Sequence, residues 1–192
     1  MGKVKLNLGT IVFTVVVTVI CYRAIGAASQ QVFHTTSSDY VPNEKNFDEE
    51  ARAIKVYYGP ELSTSKIRHM LIYIDGLCKY YNIDYALVKA VISVESNWDR
   101  KAKSNANCLG LMQISKAAAV DYKTPHSLMY DPYINITIGI KHLARLKARL
   151  PDENIARLLV AYNVGLEHAK VMSSVKAGWH RYVKKVMARI ET

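Results

Sequence analysis

The stretch DYALVKAVISVESNW, Asp84 to Trp98, decides the architecture. Asp84 offers a side-chain oxygen where a helix N-terminus needs one, and the run from Ala86 to Glu95 is apolar on nearly every face. A helix of that kind belongs inside a core rather than on its surface. It ends in Glu95, where apolar walls and the helix dipole both disfavour a negative charge. An acid so placed tends to keep its proton toward neutral pH, the state a general acid needs to protonate a leaving oxygen. The plain alternative is that Glu95 turns to solvent as the helix ends, and position alone leaves both readings open.

Working outward, the pattern stays helical. Ile67, Met70, Leu71, Ile74, Cys78 and Tyr81 recur at spacings of three and four, which predicts one buried stripe with Ser63 or Ser65 as N-cap. Between Asn97 and Gly110 the segment NWDRKAKSNANCLG is polar and rich in turn formers. Asp131-Pro132 opens another helix in cap-then-proline order, Pro151-Asp152 closes it and opens the next, and a last helix is expected from about Gly178 to Ile190. No strand-length alternation competes and no internal repeat is present. The expected fold class is all-α, a compact helical bundle.

The N-terminal part reads differently. Lys3 and Lys5 precede the uncharged stretch Leu6 to Tyr22, and small residues follow at Gly26, Ala27 and Ala28. That order fits an export signal cleaved after Ala28, while residues 6–22, at the short edge of the ~20 a bilayer span requires, leave an uncleaved membrane anchor open. The expected division is therefore 1–28 as signal peptide or anchor, 29–65 as a polar linker with one short helix over Phe47 to Tyr58, and 66–192 as the folded domain. Thr18 to Cys21 lacks the small residue before the cysteine that lipid attachment would call for.

The chain of 192 residues is half apolar and can bury one sizeable core. Its 26 Lys and Arg against 16 Asp and Glu give +10, which favours anionic partners, and removing residues 1–28 takes away only Lys3, Lys5 and Arg23. Nucleic acid is a poor partner for an exported chain without a recognisable nucleic-acid motif. Export would leave Cys78 and Cys108 in an oxidising compartment, either as a disulfide or as two buried thiols. The six His show no HExxH or clustered metal-ligand spacing, so neither a metal nor another cofactor is expected. Asn135-Ile136-Thr137 fits a glycosylation sequon but falls inside an expected helix and reads as accidental, and KHLARLKARL, Lys141 to Leu150, reads as a core helix with a solvated basic face.

Four further pieces give Glu95 a context: ESNW at Glu95 to Trp98, a serine at Ser104, GLMQI at Gly110 to Ile114, and AYNVG at Ala161 to Gly165. In this order and at these separations they resemble the catalytic domain of the soluble lytic transglycosylase family, similar in fold to goose-type lysozyme. The resemblance covers roughly Ile67 to Ile190. It implies that Glu95 is the single catalytic acid and base, with Ser96 supporting it, and that Ser104 and Gln113 line a saccharide cleft. It further implies that Met112 gives that cleft an apolar wall, that Gly110 lets backbone approach a sugar, and that Tyr162 and Asn163 border the acid. Tyr182, in HRYVKKV, resembles the tyrosine near the end of the family domain, although the residues before it depart from the family pattern.

The implied reaction is cleavage of the MurNAc to GlcNAc bond of peptidoglycan with closure of a 1,6-anhydro ring. Asp99, four residues beyond Glu95, would share its helical face if the helix continued, and a retaining pair needs about 5 to 5.5 Å between carboxyls. The resemblance instead makes Asp99 a turn or cap residue. A hydrolase of the same fold and a wall-binding module without turnover are the alternatives. The implied partner is the glycan strand, in the periplasm or cell envelope, and a chain of this length suits a local hole-opener serving an envelope-spanning secretion or conjugation machine, or a wall-remodelling enzyme.

Overall fold

A computed structural model describes residues 44–190; the expected signal or anchor, and the linker as far as residue 43, lie outside the described residues. The helices run in the order α1 Glu44–Tyr58, α2 Thr64–Tyr81, α3 Tyr85–Ser96 and α4 Lys116–Asp121, then a 3₁₀ turn His126–Tyr130, α5 Pro132–Lys147, α6 Ile155–Val164, α7 Leu166–Val171, α8 Ser174–Gly178 and α9 Arg181–Ile190. The all-α expectation holds. In place of strands, the described residues carry two isolated bridges, Lys103 with Leu109 and Leu109 with Ile114.

α3 is the centre. Asp84 caps it by accepting from the Leu87 amide at 2.8 Å, and Leu87, Val88, Ala90, Val91 and Ile92 are buried around its circumference. α2 packs on one side of it and α9 most extensively on another, while α5 joins α2 to α6. Its end is set by the residues after Glu95. Asn97 and Trp98 both take left-handed backbone, with φ of 50° and 64°, so the chain turns back. Trp98 is then only 2% exposed, and its indole N–H donates to Ser93 Oγ at 3.0 Å. Burying a ring of ~200 Å² contributes on the order of 5 kcal/mol before chain entropy is counted. ESNW therefore fixes the position of Glu95 from below.

Upstream, the folded unit reaches beyond the boundary expected at residue 66 and begins at Lys45. The short helix expected in the linker is present as α1, but it is docked. Ala51 is fully buried, Ile54 nearly so, the Phe47 ring meets Tyr85 edge-on, and Tyr85 donates to Glu50 at 2.6 Å. Phe47, Ala51, Ile54 and Tyr58 make a narrow stripe at spacings of four, three and four, which a largely polar helix hides from a composition reading.

Downstream, Ser63 and Asp131 cap α2 and α5 as expected. The helix after Pro151 starts later, with Asn154 as cap of α6 and Asp152 turned to the buried Arg157 at 3.1 Å. The last helix starts three residues later than expected and is preceded by a separate short one. α8 stops at Gly178, and α9 starts after His180, whose Nδ1 accepts from the Tyr182 amide at 3.3 Å.

Candidate active site

Glu95 stands where two grooves meet. The larger, of about 660 Å³, is lined among others by Ser104, Gln113, His142, Tyr162 and Asn163; the smaller, of about 430 Å³, by Val94, Asn163, His180, Arg181, Tyr182 and Lys185; Glu95 lines both. Three distant segments converge on it: the end of α3, the end of α6 and the start of α9. An extended polymer could lie along such a cleft with units on either side of the acid.

The acid is half-buried, and Tyr182 donates its hydroxyl to Glu95 Oε1 at 2.6 Å. Burial raises the Glu95 carboxyl above its ordinary range, and the Tyr182 bond pulls partly the other way because it stabilises the carboxylate. Burial, followed by the charge of Glu95, pushes the Tyr182 phenol up in turn, so it remains a proton donor. Tyr162 also borders the site, but its hydroxyl donates to the Met112 carbonyl at 2.8 Å rather than to the acid. Its ring is 5.7 Å from that of His142, which lies 6.1 Å from Tyr122, forming an aromatic row beside the larger groove. Burial, with the nearby Arg145 charge, lowers the His142 pKa and favours the neutral imidazole.

The other expected site residues divide. Ser104 and Gln113 line the larger groove, where the Gln113 amide donates to the Ala102 and Gly110 carbonyls at 3.2 and 2.9 Å. Both of its N–H groups are thus engaged, and only its oxygen is left to meet a ligand. Asn163 is exposed at the junction. Three residues do not face the cleft. Ser96 is buried and donates to the Ile92 carbonyl of its own helix at 3.1 Å. Met112 is fully buried, its sulfur filling the notch left by Gly139, so it supports the cleft from beneath and does not wall it. Gly110, at φ +74°, has no room for a Cβ, which would lie 2.2 Å from the Met129 carbonyl oxygen and 2.4 Å from Asn135 Nδ2. Protein, not sugar, demands that glycine.

Asp99 is not a partner for Glu95. α3 has ended at Ser96, Asp99 is exposed, and its Oδ1 accepts from the Lys101 amide at 2.8 Å, the habit of a turn residue. Among the described residues the one other carboxylate lining the grooves is Asp121, held by Arg145 at 3.0 Å.

Sequence reasoning missed Asn135, whose side chain ties the GLMQI loop to α5: it accepts from the Met112 amide and donates to the Leu109 and Met129 carbonyls, each at 2.8 Å. A lone amide among Ile134, Ile136, Ile138 and Ile140 was the available signal. His142 and Cys108 were also missed as lining residues; Cys108 and Cys78 are free thiols, with burial pushing Cys78 up to about 12.

Residues 73–180 match the family model of the transglycosylase SLT domain. The chain belongs to this family. Membrane-bound lytic murein transglycosylase E of Buchnera aphidicola subsp. Baizongia pistaciae is 31% identical over 147 residues, covering 69% of this chain and 69% of that protein. Membrane-bound lytic murein transglycosylase F of Desulfosudis oleivorans is 33% identical over 95 residues, 47% of this chain but only 20% of that protein. The 70 kDa soluble lytic transglycosylase of Escherichia coli superposes with a TM-score of 0.52 at 18% identity, over 89% of this chain and 33% of that one. Together with the helix order, this likeness makes the architecture that of the SLT fold.

Proposed function

We propose that the chain is a peptidoglycan lytic transglycosylase with Glu95 as its only catalytic carboxylate. The observation that carries this reading is a half-buried carboxyl with a raised pKa, bonded to Tyr182, at the junction of two grooves whose one other carboxylate, Asp121, is already paired. The relatives' names supply the substrate, murein.

Protonated Glu95 donates to the oxygen bridging MurNAc and GlcNAc, and the bond from MurNAc C1 to that oxygen breaks. The C6 hydroxyl of the same MurNAc attacks C1, its proton returns to Glu95, and a 1,6-anhydro ring closes without net uptake of water or proton. An internal nucleophile needs no second carboxylate, and proximity within one sugar favours it. The neighbouring N-acetyl group can stabilise positive charge at C1. Tyr182 steadies the carboxylate between the two proton transfers. Residues 45–190 are the catalytic unit in this reading, with 1–28 as the signal or anchor that delivers it to the cell envelope, in keeping with relatives named membrane-bound.

Mass spectrometry of soluble products from isolated peptidoglycan treated with the full chain tests the proposal, beside Glu95→Gln. Products ending in 1,6-anhydroMurNAc, reduced by about 10² or more in the variant, are expected. Reducing-end products would make the chain a hydrolase, and wall binding without turnover would make it a binding module.

A further inference from the structure

The two grooves differ in charge. In the larger, Arg145 and Arg149 stand against Asp121, which pairs with Arg145, so two cations share one acidic neighbour besides Glu95. In the smaller, Arg181 and Lys185 project from α9 four residues apart, and neither has a carboxylate partner among the described residues. Like charges at that spacing repel by about 0.2–0.5 kcal/mol, a cost that a bound anion would remove. His180 turns its Nδ1 to the Tyr182 amide, which donates to it. The one acidic side chain lining this groove is Glu95.

We propose that Arg181 and Lys185 form an anion subsite for a carboxylate of the stem peptide borne by the MurNAc whose bond is cut, making the chain selective for peptide-bearing strands. The inference rests on the reading of Glu95 as the reaction centre. The peptide leaves MurNAc through its lactyl group, on the sugar that must sit against Glu95, so its carboxylates fall in a groove that contains Glu95 rather than several sugars away. Stem peptides carry free carboxylates along their length, and a guanidinium with an ammonium beside it suits them. Both side chains belong to exposed residues, so the subsite adds selectivity without burying charge.

The test is fluorescence anisotropy with the full chain carrying Glu95→Gln to prevent turnover. The probes are a labelled GlcNAc-MurNAc tetrasaccharide bearing stem peptides and the same sugar stripped of them, with its lactyl carboxyls capped as methylamides. The peptide-bearing probe should bind tighter at low salt. Arg181→Gln with Lys185→Gln should weaken it about tenfold and the stripped probe less than twofold, while Lys185→Arg retains the preference. Equal weakening of both probes, or no weakening of either, would overturn the subsite. A wall phosphate polymer that binds through Arg181 and Lys185, with both sugar probes bound alike, would assign the anion to phosphate and end the stem-peptide assignment. Turnover of intact wall by the unsubstituted chain is scored separately, so absence of anhydro products would count against the reaction and leave the binding comparison readable.

Discussion

Glu95 and Tyr182 are 87 positions apart and share one hydrogen bond of 2.6 Å, on which the acid's two roles converge. Burial keeps the proton on and the phenol makes its departure easier, so the pair sets how readily the carboxyl changes state. Tyr182→Phe removes the hydrogen bond that lowers the Glu95 pKa. The alkaline limb of the activity profile, where Glu95 ionises and ceases to be an acid, should move to higher pH. A bond to a charged carboxylate is worth about 1.5–3 kcal/mol, so kcat should fall roughly 10- to 100-fold. A pH–rate series on soluble glycan strands reads both, and an unmoved limb would contradict the coupling. At this scale the sequence identified side-chain chemistry well and direction poorly. Glu95 and Gln113 were assigned to the cleft by the resemblance their motifs carry, not by position alone, and both line the larger groove. Ser96, Gly110 and Met112 were assigned there too, yet each serves the protein interior, because which way a residue faces depends on partners far along the chain.

At the scale of elements, the GLMQI loop shows the same division. Its glycine and turn chemistry are local and readable, but what holds it comes from α5, more than twenty residues on. Asn135 is fully buried, and its side chain donates to the Leu109 and Met129 carbonyls while accepting from the Met112 amide; the Leu109 carbonyl also accepts from the Ile114 amide. Asn135→Leu would leave a buried N–H and two carbonyls without that partner and should cost about 3 kcal/mol in urea unfolding. Asn135→Asp keeps the Met112 bond but turns both donated bonds into oxygen facing oxygen, and should be similarly destabilising. If either variant lay within about 0.5 kcal/mol of the parent, the loop would have another anchor. Activity should drop with stability, because Tyr162 reaches the cleft through the Met112 carbonyl and Gln113 is the next residue. α1 was readable as a helix and not as part of the core, since four apolar positions in a polar segment gain meaning only from the core they join, where Phe47 meets Tyr85 of α3.

For the molecule as a whole, the helix that made the fold legible also makes the site expensive. α3 is buried all round, which is why an all-α core could be read from its sequence, and its last turn carries a carboxyl into that core. The unfolded chain ionises Glu95 near its ordinary 4.5, whereas the folded chain resists until its raised pKa is reached. Below 4.5 both states hold the proton and the acid costs nothing; as pH climbs through the interval between the two pKa values, the folded state loses stability, and above it the penalty is constant. Glu95→Gln keeps an oxygen that can accept from Tyr182 but cannot ionise. The variant should therefore unfold at higher urea than the parent at pH 7 and match it at pH 4, while the titration of every other carboxylate cancels between the two proteins. Such a crossover, joined to loss of turnover in the same variant, is what a site that sacrifices stability for a held proton requires. An offset of equal size at both pH values would assign the gain to packing, and Glu95 would lose the environment its role depends on.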